Sequence, residues 1–203
     1  MNSHYFSQEE PNKSTPQTIS YLFGSKQYTF TTDIGVFSPK KVDHATDTLL
    51  KNIPPLGGSL LDMGCGYGCI GIVLAKEYGL ELTQADINPR ALRLAMENAA
   101  QNNMASNVVQ SNGFAQIRGS FDTVVINPPI HAGKSVIFAM YEGAFAHLKP
   151  DGFLYIVILK KHGAESSIKR LTEIFGNCRV LHKKKGLYII AMRKAQEGWQ
   201  CTW

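Results

Sequence analysis

The stretch that decides the fold is "SLLDMGCGYGCIGIVLAKEYGLELTQAD", residues 59–86. A short apolar run, "SLLDMG", has strand character and breaks on Gly64, Gly66 and Gly68. Tyr67 to Tyr78 reads as a helix. "LELTQAD" then reads as a second strand. Strand, glycine turn, helix and strand within about 30 residues make a βαβ unit, which requires parallel strands and a right-handed crossover.

The same alternation continues to the C-terminus. Pro89 to Gln101 reads as a helix opened by a first-turn proline after Asn88. "NVVQSN" and "FDTVVIN" read as strands, Lys134 to Leu148 as a helix, "GFLYIVIL" as a strand and Ala164 to Phe175 as a helix. "CRVLHKK" and "GLYIIAMR", on either side of Lys185 and Gly186, predict a terminal antiparallel hairpin. The expected fold is therefore α/β, Rossmann-like and doubly wound. Upstream, residues 1–20 are polar and read as an arm, "KQYTFTTDIGVFS" alternates like a strand or hairpin, and "KKVDHATDTLLKNI" fits an amphipathic helix ending before Pro54 and Pro55. The expected division is an N-terminal arm, hairpin and lead-in helix over 1–53 and a catalytic core over 54–203, in one domain overall.

A chain of 203 residues, 44% of them hydrophobic, supports one full core. No stretch approaches the roughly 20 apolar residues that span a bilayer, and the N-terminus lacks the basic and apolar regions of a secretory signal. The expectation is a cytoplasmic protein without a membrane partner. Cys65, Cys69, Cys178 and Cys201 form no CxxC pair, so neither zinc nor dithiol redox chemistry is indicated. The formal net charge of +5 is unevenly placed: 8 basic against 10 acidic residues over 1–100, and 13 against 6 over 101–203. A basic half of this kind suits a nucleic-acid partner.

In a doubly wound sheet, ligands bind outside the carboxyl ends of the strands. Glycines there let a ligand approach the backbone. A dinucleotide site wants GxGxxG aimed at a pyrophosphate; here the order is GxGxG and Asp62 precedes it, where a carboxylate would repel phosphate but attract a cationic amino-acid portion. That favours S-adenosylmethionine over NAD. Asp86, closing the next strand, can accept from two ribose hydroxyls, and Asn112, at the third strand's end, can meet an adenine. "NPP" closes the strand after that. Each proline biases its predecessor toward extended geometry, so the loop is stiff and its carbonyls point in fixed directions. The Asn127 side chain and the Pro128 carbonyl can then accept from an NH2 group and aim its lone pair at a methyl, which suits amino-group methylation. The alternatives are methylation of a protein glutamine amide or small-molecule amine, an NAD-dependent oxidoreductase, and a non-catalytic RNA-binding module.

With "DMGCGYG", "ADINPRAL" and "INPPIHAGK" in place, the chain resembles the class I S-adenosylmethionine-dependent methyltransferases of the small-domain group. Within that group it is most similar to ribosomal RNA guanine-N2 methyltransferases of the RsmC kind and their short YbxB-like relatives. "HYFS" at Tyr5, "TDIGVFSPKKVD", "KKHGA" and "KGLYII" extend the likeness. The resemblance implies a seven-stranded sheet, cofactor over Gly64 to Gly68 with its ribose on Asp86, and a target amine on Asn127 and Pro128. It also implies Phe37 and Asp43 beside cofactor or substrate. Pro129, Ile130 and His131, on the same loop as Asn127, are candidates for the substrate side, and Lys160, Lys161 and Lys183 to Lys185 are candidate phosphate contacts for an RNA partner. Amino methyltransferases commonly carry an aromatic after NPP on which a base stacks; Ile130 stands there, leaving Phe37 or His131 to stack.

Overall fold

The computed structural model describes residues 14–196. Most of the polar arm, "HYFS" and the C-terminal tail with Cys201 lie outside them. A two-stranded antiparallel hairpin comes first, β1 (Gln17–Phe23) and β2 (Lys26–Thr32). Residues 17–20 therefore belong to a strand and not to an arm. Of these only Ile19 is buried; with Tyr21 and Phe23 it makes a period-two apolar face that straddles the expected end of the arm, and pairing with β2 carries the strand back through polar Gln17 and Thr18.

After the hairpin come α1 (His44–Asn52), β3 (Ser59–Met63), α2 (Cys69–Tyr78), β4 (Glu81–Asp86), α3 (Pro89–Gln101), β5 (Asn107–Gln110) and β6 (Phe121–Ile126). Then follow α4 (Lys134–His147), β7 (Leu148–Leu159), α5 (Ala164–Phe175), β8 (Arg179–Lys184) and β9 (Leu187–Arg193). Helix α2 starts at Cys69 and not at Tyr67, because Gly68 caps it at φ 91°, outside helical geometry. Helix α1 starts after Asp43, whose Oδ1 accepts from the N–H groups of Ala45 and Thr46, a cap worth about 1 kcal/mol. Helix α3 opens as its sequence predicts, with Asn88 capping and Pro89 in the first turn.

The seven-stranded sheet has the order β5-β4-β3-β6-β7-β9-β8. Its first five strands are parallel, and β9 inserts antiparallel between β7 and β8. This is the seven-stranded sheet, with an antiparallel C-terminal hairpin, that the sequence resemblance implies. The side-chain period of two sends alternate residues to opposite faces. Leu60, Val125, Tyr155, Val157 and Ile189 join a core with residues of the hairpin, α1, α2 and α3. Leu61, Met63, Val124, Ile126, Ile156 and Ile190 join another with residues of α4 and α5. The order reverses at β3 and β6, which therefore flank the crevice at their carboxyl ends.

Candidate active site

A cavity of about 790 Å³ lies over that crevice. Its floor is the turn leaving β3. The N–H groups of Gly64 and Cys65 both donate to the Ala85 carbonyl, at 2.8 and 3.0 Å, which pins the turn to β4. Gly64 and Gly66 have φ of 73° and 57°, a conformation glycine enters without steric cost. A Cβ added to Gly66 would meet nothing within 4 Å. The backbone is thus bare toward the cavity that it lines.

Asp86, at the end of β4, also lines the cavity. Its Oδ2 accepts from the Gly66 N–H and its Oδ1 from the Asn88 N–H, each at 2.9 Å. Burial raises its pKa above the usual carboxylate value, and those backbone donors offset part of the rise. Each carboxylate oxygen keeps a lone pair for a further donor. Asn112 is exposed on the wall, its backbone N–H donating to Gln116.

Two residues of the glycine motif lie elsewhere. Asp62 is 1% exposed and absent from the cavity wall; its Oδ2 accepts from the Gly71 N–H at 2.8 Å, under α2. Along β3 it shares a face with Leu60, while Leu61 and Met63 face the other way. Gly68 is likewise off the wall, because its missing Cβ makes room for Gln84 and Ala95 beneath the turn. Asp62 and Gly68, both expected to bind the cofactor, support the turn from below.

Across the cavity, Asn127, Pro128, Pro129, Ile130 and His131 line the wall after β6. Asn127 Nδ2 donates to Thr46 Oγ1 at 3.4 Å, so Oδ1 is the half of the carboxamide left to accept. Thr46 is itself held by the Asp43 cap. Asp43 and Phe37 line the cavity too, Phe37 being 60% exposed at its mouth. Lys161 does not: it is exposed outside the wall, and its neighbour His162 takes the place on it. Thr46 had no signal in the sequence, lying within the first turn of α1, and His162 entered only within the quoted stretch "KKHGA", behind a lysine pair. Among the described residues no group of three or more His, Cys, Asp or Glu is placed to hold a metal ion, and no helix is long and apolar enough to cross a membrane.

Residues 27–191 match the family model of the methyltransferase small domain. The chain belongs to that family. It is 42% identical over 200 residues to the uncharacterized protein YbxB of Bacillus subtilis, covering 96% of this chain and all of that one. It is 42% identical over 128 residues to ribosomal RNA small subunit methyltransferase C of Aeromonas hydrophila, covering 61% of this chain and 37% of the other. Among solved structures, a T. thermophilus 16S rRNA guanine-N2 methyltransferase (RsmC), in complex with AdoMet and guanosine, superposes with a TM-score of 0.81 at 26% identity. That match spans 91% of this chain but only 52% of the T. thermophilus one. A ribosomal protein L11 methylase of Lactobacillus delbrueckii, at 19% identity and a TM-score of 0.61, shares the fold.

Membership of a class I methyltransferase family makes S-adenosylmethionine the methyl donor and sets NAD chemistry aside. The cavity fits it. The bare backbone at Gly66 leaves room for a ligand, and a carboxylate with free lone pairs at Asp86 suits vicinal hydroxyls.

Proposed function

We propose that this methyltransferase transfers its methyl group to an exocyclic amine, the N2 of a guanine in small-subunit ribosomal RNA. The observation that carries the reading is the Asn127 carboxamide. It is anchored by Thr46, stiffened by Pro128 and Pro129, and faces the cavity with its oxygen available. Its Oδ1 and the Pro128 carbonyl would accept the two N–H bonds of an NH2 group. An amine conjugated to a ring is a poor nucleophile, so holding its lone pair in line is the main help a protein can give.

On the other wall, the backbone of Gly64 to Gly66 would carry the cofactor, Asp86 would accept from its ribose hydroxyls, and Asn112 would meet its adenine. Bound there, S-adenosylmethionine supplies an electrophilic methyl group. The proton released by the methylated amine is weakly held and needs no strong base, which fits a shelf built of neutral acceptors. A base reaching that shelf must leave its stack or come from a single strand. Ile130 gives it apolar contact, and Phe37, at the mouth, is the aromatic placed to stack. The names of the Aeromonas and T. thermophilus relatives support guanine in small-subunit RNA as the acceptor.

The test is transfer of tritiated methyl to an unmethylated 16S rRNA transcript and to small ribosomal subunits, followed by digestion to nucleosides. Label is expected in N2-methylguanosine. Asn127→Ala should cost about 100-fold or more in turnover while S-adenosylmethionine still binds by calorimetry. Label in methyladenosine or in protein refutes the assignment.

A further inference from the structure

His162 reaches the acceptor side of the cavity by a route the topology fixes. Strands β6 and β7 run side by side, with Ile126 opposite Ile156. The chain leaving β7 at Leu159 therefore emerges beside the Asn127–Ile130 shelf. Gly64, Asp86 and Asn112 follow β3, β4 and β5, on the other side of the switch in strand order. A single 3₁₀ turn, Lys160–His162, comes next. Backbone bonds hold it at both ends: the Lys160 N–H donates to the Gly186 carbonyl at 2.7 Å, and the Gly163 N–H to the Lys160 carbonyl at 3.0 Å. So fixed, the turn exposes Lys160 and Lys161 and lays His162 on the cavity wall.

The Nδ1 atom of that imidazole is buried and has no hydrogen-bond partner. Buried polar atoms rarely lack one, and leaving one orphaned costs about 1–3 kcal/mol. The other such atom among the described residues, Arg193 Nε, belongs to a guanidinium paired with Asp151 at the opposite end of β7, where Arg193 pairs with Phe153. His162 alone combines an orphaned nitrogen with a place on a ligand cavity. Its surroundings are cationic: Lys160 and Lys161 on its own turn, His131 from the shelf, Lys134 beside Gly163, and Lys184 and Lys185 from the adjoining β8–β9 turn. The one carboxylate near the turn, Glu165, is paired with Lys160. Burial first, then Lys161 and His131, push the His162 pKa down, which keeps the ring neutral. A neutral imidazole offers one donor and one acceptor, the complement of a base edge.

We propose that His162 is a substrate-binding residue whose imidazole hydrogen-bonds the edge of the target base, beside the amine held on Asn127, the ring turning to bring a nitrogen to the cavity. The proposal rests on the reading that the acceptor is a base in RNA. Its test uses the full chain, the unmethylated 16S rRNA transcript and two variants, His162→Ala and His162→Gln. The alanine variant should raise KM for the transcript about tenfold, the loss of one hydrogen bond, with S-adenosylmethionine affinity and thermal midpoint unchanged. Glutamine, which restores a donor and an acceptor, should recover most of the loss. An unchanged KM in His162→Ala while the wild type labels the transcript overturns the role of His162 and leaves the RNA reading standing. An equal fall in cofactor affinity also overturns it. Label passing to protein or a small molecule instead of RNA overturns the RNA reading and, with it, the base as ligand.

Discussion

Asp62 stands two residues before Gly64, yet its carboxylate is absent from the cavity wall. Beneath α2 it accepts the Gly71 N–H, and it fits there because residue 71 has no side chain. A Cβ on Gly71 would stand 2.9 Å from Asp62 Oδ2 and 2.8 Å from Leu82 Cδ1. Burial pushes the Asp62 pKa up to about 7; the Gly71 bond opposes the rise and Asp86 adds to it. The folded chain therefore holds this proton more tightly than the unfolded one. The associated stability is fully present below the ordinary carboxylate pKa of about 4 and is lost as pH rises through about 7. Asp62→Asn keeps an acceptor for Gly71 and removes the ionisation. Urea denaturation should find the variant gaining on the wild type between about pH 4 and pH 7. Asp62→Ala leaves the Gly71 N–H unpaired and should cost about 1–3 kcal/mol below about pH 4, a cost that shrinks as rising pH ionises the wild-type carboxyl. A wild-type advantage that grows with pH would show that the carboxylate is stabilised as an anion. Sequence places Asp62 correctly at a strand end but cannot say which face it takes. Both faces of β3 are covered, so Leu60, Leu61 and Met63 show no polar alternation to reveal it.

The hairpin and α3 meet through two asparagines one turn apart that act as an extra strand edge. The Asn98 carboxamide accepts from the Thr31 N–H at 2.7 Å and donates to the Thr31 carbonyl at 2.8 Å. Asn102 does the same for Thr29, at 3.2 and 2.7 Å. Asn98 has a further duty, since it donates to the Tyr67 carbonyl inside the glycine turn at 2.8 Å. Asn102 instead donates to the Asn98 carbonyl of its own helix. Removing either side chain strands backbone groups of β2 and should destabilise the fold by about 2–3 kcal/mol. Only Asn98→Ala should also weaken S-adenosylmethionine binding, by severalfold in calorimetry, because only Asn98 braces the turn. Equal cofactor affinity in the two variants would break the link between hairpin and turn. The elements least legible in the sequence meet here. Helices α1, α3 and α5 are readable from period and caps, and the β8–β9 hairpin from Lys185 and Gly186. The polar start of β1, Gln17 and Thr18, and the asparagine pair take their structure from pairing with β2, which a one-dimensional pattern does not carry.

At the scale of the molecule, the sheet order turns a sequence asymmetry into a spatial one. The parallel strands β3 to β5 bring the first half's carboxylates and glycines to one side of the crevice. Strands β6 and β7 and the β8–β9 turn bring the basic second half to the other. Lys160 and Lys161 end up beside Lys184 and Lys185 because the Lys160 N–H is bonded to Gly186. Lys183 is held differently, its ammonium 5.1 Å from the Tyr188 ring centroid. Four exposed lysines thus rim the acceptor side, next to His162 and the Asn127 shelf and away from the cofactor's floor. If the acceptor is single-stranded RNA, each phosphate neutralised there releases counterions and steepens the salt dependence by about 0.7 in the log–log slope. The double substitution Lys161→Ala and Lys184→Ala should therefore flatten the slope of transcript binding between about 50 and 200 mM KCl by about 1.4. Affinity for S-adenosylmethionine should not change, since neither lysine lines the cavity. Filter binding of the transcript across that range measures the slope. An unaltered slope would take the RNA path off this rim. It would then have to pass the other lip of the mouth, where Phe37, Lys40 and Lys41 are exposed, and the same measurement on Lys40→Ala and Lys41→Ala would show it.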